Sequence, residues 1–157
     1  MPIPGLPIPK FDPKSFSGRA EAHKIGSNFS HVVSSTGTCL FLYWALPSVD
    51  PLIEFMRAVS GWDLTIEELI KTGERICTIR HSFNIREGLN PLEYKIPGRI
   101  MGNPPPKEGP LAGVTVDEET LDQELLAVLD WDSKTTKPSK EKLLELGLED
   151  VARQILP

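Results

Sequence analysis

Fifteen prolines fall mostly into two dense groups, and these groups fix where regular structure can form. Pro2, Pro4, Pro7, Pro9 and Pro13 crowd the start of the chain, and Pro97, Pro104, Pro105, Pro106 and Pro110 crowd a later stretch. Each proline holds φ near about −65° and removes a backbone donor, so neither stretch suits a helix interior or a central strand. The first group, residues 1–17, reads as an extended lead-in: a strap across another surface, or a disordered tail. The second, with Gly98, Gly102, Gly109 and Gly113 beside it, reads as a long loop. A loop of that length in a compact domain serves function, an interface or mobility.

The rest reads as helix. Glu21 to Val33 places Ile25, Phe29, Val32 and Val33 on one side, with Gly26 as a weak point. Thr38 to Leu46 is an apolar run short enough for either a strand or a buried helix, and periodicity cannot separate the two. Pro51 opens a helix to Val59 from its first position, where its missing amide costs nothing, and Gly61 ends it. Thr65 and Glu68 have capping-box spacing. Behind them Ile66, Leu69, Ile70, Gly73, Ile76, Cys77, Arg80 and Phe83 follow one helical stripe to Gly88. Gly73, costing about 1 kcal/mol against alanine in mid-helix, predicts close contact with another backbone. Asp117 can cap a helix to Leu129, Pro138 starts another through Leu146, and Glu149 to Leu156 forms the last. No run alternates polar and apolar residues as a strand would. The predicted fold is all-α, a multi-helical irregular or orthogonal bundle over 18–157 with a proline-rich strap and a proline/glycine-rich loop.

A net charge of −5 with no basic stripe argues against nucleic-acid binding. No apolar run reaches membrane-spanning length, and the N-terminus lacks the pattern of a signal peptide. Two cysteines, Cys39 and Cys77, make no disulfide framework, so the expected setting is reduced and cytoplasmic. His23, His31 and His81 have no second ligand at metal-binding spacing. Glu67, Glu68, Glu74, Arg75, Arg86 and Glu87 read as a solvated helix face carrying (i, i+3) and (i, i+4) pairs, with Arg86 and Glu87 also able to brace the following loop. Trp62 and Trp131 are expected to pack beside helix ends, and Trp44 at a domain interface.

The stretch with most chemical content is Ser34-Ser35-Thr36-Gly37-Thr38-Cys39, ahead of Leu40-Phe41. It sets a lone thiol just past a glycine turn, at the head of an apolar run. A thiolate there can ligate a metal or cluster, and the glycine permits close backbone approach to a bulky cofactor. On residue type alone, a buried structural cysteine is the competing reading. Cys77, on the helix stripe, reads as core packing.

The order of motifs resembles the C-terminal domain of the aldehyde ferredoxin oxidoreductase family, the tungstopterin enzymes. Gly18-Arg19-Ala20-Glu21 with Lys24 is similar to the family's G-[KR]-A-E-x-x-K. Ser34 to Cys39 stands where the family has D-S-x-G-L-C. Gly61-Trp62-Asp63-Leu64-Thr65, Glu67-Glu68-Leu69 and Gly73-Glu74-Arg75-Ile76 resemble G-W-D-x-T-x-E-E-L-x-x-x-G-E-R-I. Phe83 to Gly88 is similar to F-N-x-R-E-G.

The resemblance implies a domain covering a tungsten (or molybdenum) pterin and a four-iron four-sulfur cluster. The enzyme would be an oxidoreductase acting on aldehydes or related acid-level substrates and passing electrons to ferredoxin or another carrier. It places the domain-supplied cluster ligand on Cys39, with Gly37 allowing close approach and Ser34 and Thr38 contacting pterin. The other three cluster ligands come from a C-x-x-C-x-x-x-C motif. This chain has no C-x-x-C, so the expectation is that it binds no cofactor alone, is not catalytically competent alone, and works with the N-terminal domains or a subunit of the same enzyme. Ser34 replaces an aspartate of the family motif and Thr38 a leucine, which removes the basis for assuming a simple aldehyde substrate. The rival expectation is a cofactor-free helical interaction module derived from such a domain, favoured by the missing C-x-x-C and by Ser34.

Overall fold

Among the described residues there are seven α-helices and one 3-10 turn, and local signals mark many of their boundaries. The computed structural model describes residues 4–12 and 15–156, without the side chain of Leu40; Pro2 and Pro13 of the lead-in lie outside the described residues. The helices are α1 (Ala20–Ser35), α2 (Leu40–Ala45), α3 (Asp50–Ser60), α4 (Ile66–Arg86), α5 (Glu118–Leu129), α6 (Lys140–Glu145) and α7 (Glu149–Ile155), with the 3-10 turn at Pro91–Glu93. Among the described residues there is no strand; Trp131 and Pro138 form one isolated antiparallel bridge.

The capping box is made in full: Glu68 N–H donates to Thr65 Oγ1 at 3.2 Å and Thr65 N–H donates to Glu68 Oε2 at 2.9 Å. Asp117 and Ser139 cap α5 and α6 through the amides of Thr120 and Lys142. Gly61 closes α3 at φ +72°, a left-handed conformation that costs glycine little. α1 runs unbroken through Gly26.

α1 and α4 form the main helix pair, with α5 packed on α1 and α7 on α4. Their first core joins Phe29, Val32 and Val33 of α1 to Tyr43, Val49, Leu52, Ile53 and Leu69. Leu6 of the lead-in packs against this core, and the carbonyl of Pro4 accepts from Val49 N–H at 2.9 Å. The described lead-in is thus laid across its own domain. A groove of about 1050 Å³ separates it from α1 and α5, lined by Leu6, Ile8, Phe11, Arg19, His23 and Leu125 among others.

A second core is Leu143, Leu146, Leu148 and Ile155, with Val151, Ala152 and Leu156 around it. Polar contacts tie it to α4 and α1. Lys24 Nζ and Lys142 Nζ each stand 3.2 Å from Glu74 Oε1, and Lys142 Nζ reaches Glu145 at 2.8 Å. Arg75 Nε donates to the Leu146 carbonyl at 2.7 Å. His81 Nε2 donates to the Thr136 carbonyl at 2.8 Å while its ring stacks on Trp131 at 4.0 Å.

The predicted α4 stripe fails in its second half. Arg80 and Phe83 are exposed, and the buried positions are Glu74, Thr78 and Ser82. For Glu74 the reason is its pairing with Lys24 and Lys142, and the following turn reaches the 130–139 loop through His81. Glu74 is accordingly a buried ion-pair residue, not part of a solvated face. Arg86 braces α7 through Gln154 at 3.2 Å rather than the loop that follows it. Trp62 is 66% exposed, correcting its expected packing, whereas Trp131 is half-buried against His81. The proline/glycine loop closes on itself, with Asn103 N–H donating to Gly98 O at 2.7 Å and Val116 N–H to Met101 O at 2.8 Å.

Candidate functional site

The candidate turn lies where α1 stops. The N–H of Thr36 donates back to Val32 and Val33 carbonyls, and Gly37 then turns left-handed at φ +73°. A β-carbon built on Gly37 meets nothing within 4 Å. Its conformation therefore calls for glycine through φ, and the space beside it is open. The chain leaves the turn in extended conformation at Cys39 (φ −80°, ψ 131°), which is the N-cap of α2. Its carbonyl accepts the first bond of that helix, from Leu42 N–H at 3.0 Å.

Ser34, Gly37, Thr38 and Cys39, neighbours in the chain at the end of α1 and the turn after it, are all exposed. Beyond the turn, α2 is helical, as one of the two sequence readings allowed, but it is not buried. Among its described side chains only Tyr43, 2% exposed, enters the core, where its ring meets Phe29 edge-on at 5.7 Å. Phe41 is 67% and Trp44 52% exposed, and the two rings pack against each other at 4.9 Å. An apolar hexapeptide held by one anchored residue leaves most of its surface facing outward. Trp44 therefore stands on an uncovered face.

At the turn, three side-chain hydroxyls form a ladder. Thr36 Oγ1 donates to Val33 O at 2.8 Å, lies 2.7 Å from Thr38 Oγ1, and Thr38 Oγ1 lies 2.9 Å from the Tyr43 phenol. Sequence reasoning missed this feature. The available signal was a Thr-x-Thr pair ahead of a tyrosine on the inward side of a short helix.

Cys77 differs from Cys39 in exposure. It is partly buried on α4, and burial pushes its thiol above the usual range, further than the nearby Arg80 guanidinium draws it down. His31 Nδ1 accepts from Arg80 at 3.1 Å; burial, with the Arg80 charge second, holds its pKa below the ordinary 6.5. Burial also lowers His81, outweighing its bond to Thr136. Both histidines thus have intramolecular roles. Among the described residues, no three His, Cys, Asp or Glu side chains converge as a metal site, and no helix is long and apolar enough to cross a membrane. A single exposed cysteine can occupy only one corner of a metal cluster, so the described residues cannot hold one unaided.

The family model described as "Aldehyde ferredoxin oxidoreductase, domains 2 & 3" matches residues 3–148. The chain belongs to the aldehyde ferredoxin oxidoreductase family. The match takes in the lead-in as well as the helical body, and stops just before α7. Among curated relatives, the tungsten-containing aldehyde ferredoxin oxidoreductase of Pyrococcus abyssi is 33% identical over 150 residues, covering 94% of this chain. Those of Pyrococcus horikoshii and Thermococcus kodakarensis are 32% and 30% identical over the same length. The chain spans about a quarter, 24%, of the length of each of these relatives.

Proposed function

We propose that this chain is the cofactor-covering helical part of a tungsten (or molybdenum) pterin, iron–sulfur oxidoreductase, with Cys39 as a thiolate ligand to a four-iron four-sulfur cluster. Ser34, Gly37 and Thr38 contact the pterin. When bound, the pterin-held metal and the cluster supply two-electron chemistry on an aldehyde or acid-level substrate and an exit for electrons to ferredoxin or another carrier.

The placement of Cys39 is the observation that carries this reading. A cysteine kept only for packing is buried; this one stands exposed on a turn whose glycine leaves the approach open. Cys39 is in extended backbone at the N-cap of α2, and Tyr43 anchors that helix to the core. Phe41, Leu42 and Trp44 form an apolar surface that a further domain of the enzyme covers, removing it from water. The similarity to relatives about four times this chain's length supports such a domain.

The test is Cys39→Ala in the intact gene product, purified anaerobically and assayed for iron. Loss of cluster iron with retained fold is expected. A variant that keeps its full iron content overturns the assignment. The intact mass of the native product, read alongside, tells whether the remaining domains share this polypeptide or arrive as a separate subunit.

A further inference from the structure

The joint between α4 and the 130–139 loop is strained at one residue. Thr136 sits in the left-handed region at φ +55°, which a β-branched side chain adopts only when its surroundings impose it. Its backbone is fully used there. Thr136 N–H donates to the Asp132 carbonyl at 2.9 Å, and the Thr136 carbonyl accepts from His81. Its side chain is not: Thr136 is 1% exposed, yet among the described residues its hydroxyl has no hydrogen-bond partner. Two more buried groups are left the same way. One is the indole Nε1 of Trp131, whose ring stacks on His81. The other is the hydroxyl of Ser82, next to His81 on α4 and 2% exposed. All three residues thus adjoin His81. A buried polar group without a partner is among the costlier defects a fold can carry. Three around one residue, beside a strained backbone, call for a common partner.

We infer that one internal water is a fixed part of this joint, accepting from Trp131 Nε1 and bridging Thr136 Oγ1 and Ser82 Oγ. The donor set selects it. An indole N–H can only donate, so the bound species must accept, which excludes a metal cation; the two hydroxyls can give or take a proton. Three bonds are the usual complement of a buried water. An anion would need a counter-charge, but burial holds His81 toward its neutral form and Lys137 Nζ donates to the Ile155 carbonyl at 3.0 Å. Bonded to both α4 and the loop, the water is a cross-link between them. It also accounts for a threonine at a left-handed position: glycine would relieve the backbone there and remove the hydroxyl that holds the water.

Native-state hydrogen–deuterium exchange of the intact gene product tests this, read on peptides spanning 78–86 and 130–139, with a peptide from α3 as control. Thr136→Val keeps the shape and the backbone strain and deletes only the hydroxyl. Deleting a hydroxyl that is merely orphaned would relieve a defect and leave exchange unchanged or slower. Deleting one that holds the water should speed exchange of the 130–139 peptide about three- to tenfold, the size of one lost hydrogen bond. Ser82→Ala should also speed that peptide, although alanine favours the helix that carries it. The double variant should exchange little faster than the faster single one, because both remove the same bridge. Unchanged or slower exchange in Thr136→Val and Ser82→Ala overturns the water. Rate effects that multiply in the double variant overturn the shared site. A crystal structure of the intact gene product that shows ordered solvent is expected to place one water within hydrogen-bond distance of all three atoms. Three side chains paired directly with protein, or an anomalous peak from chloride at that point, would overturn the assignment.

Discussion

A β-carbon added to Gly73 would fall 2.0 Å from the carbonyl oxygen of Asn28, with the Asn28 carbonyl carbon at 2.5 Å. The two main helices meet there backbone to backbone, and no rotamer change can relieve the overlap because the obstacle is main chain. Helix propensity alone favours alanine by about 1 kcal/mol. Steric exclusion wins, since overpacking costs about 1–3 kcal/mol and the helices would have to part. Gly73→Ala is expected to lower stability by at least about 2 kcal/mol in urea unfolding. Gly26→Ala, where nothing lies within 4 Å of the added carbon, should raise it by up to about 1 kcal/mol. A neutral Gly73→Ala would mean that α1 and α4 do not approach this closely.

Glu74 is the common partner of Lys24 and Lys142, with all three side chains between 10% and 16% exposed. Removing the carboxylate strands two ammonium groups in a poorly solvated place. Glu74→Gln should cost about 3 kcal/mol or more, as breaking one side of a buried pair does. Lys71→Gln, at a half-exposed pair of 3.9 Å, should cost less than about 1 kcal/mol. Paired chemical denaturation curves decide the comparison.

Acid should weaken the fold in two stages. His31 and His81 have folded pKa values below the ordinary 6.5, chiefly through burial. The stability they contribute is complete above about 6.5, and is lost as pH falls toward their folded values, because the unfolded chain takes up protons first. Glu145 is held below 4.5, first by its bond to Lys142, so its contribution goes at lower pH still. Lys142 is raised above 10.5: burial opposes its charge, but Glu145 and Glu74 prevail. Its contribution is present at neutral pH and lost as pH rises through that raised value. A Tm profile should decline between pH 7 and 5, and His31→Gln with His81→Phe should flatten that interval. A decline of unchanged size in the double variant would exclude both histidines.

Thr65→Ala should cost about 1 kcal/mol, removing one of the two reciprocal bonds that start α4. Thr65→Ser should keep most of it. Thermal unfolding of the two variants measures the difference directly.

Phe41→Ser with Trp44→Ser should leave the Tm of this chain, made alone, nearly unchanged while reducing its self-association in light scattering. Both rings are more than half exposed and contact each other, so the core loses little. A drop of several degrees would show that α2 is held by more than Tyr43.

The helical body was legible because most of its boundaries carry their own chemistry. Thr65 and Glu68, Pro51, Gly61 and Asp117 speak locally, and Gly73 announced a close crossing before any partner was known. The turn at Gly37 was legible for the same reason: a glycine just past a helical run takes the left-handed conformation that ends it, here φ +73°. What periodicity could not supply was the partner on the other side. The start of α4 meets an apolar core at Ile66, Leu69 and Ile70 and obeys the stripe; from Glu74 onward the buried positions are Glu74, Thr78 and Ser82, with Glu74 paired to Lys142 and His81 bonded to the 130–139 loop. Pairing between residues far apart in the chain, such as Glu74 with Lys142, leaves no trace in local pattern. Likewise the run from Thr38 to Leu46 reads as a strand or a buried helix because it is apolar, yet of the described side chains in α2 only Tyr43 is buried.

The polar joint between the two cores has a consequence for how such a chain can change over time. Substitutions among Phe29, Leu52 and Leu69 have no shared contacts with Leu143, Leu146 and Ile155, so their effects should add rather than interact. Each half can drift in sequence on its own schedule, provided that Glu74, Arg75 and Lys142 are kept. Diversity can therefore accumulate around the second core, in α6 and α7, without disturbing the turn that presents Cys39.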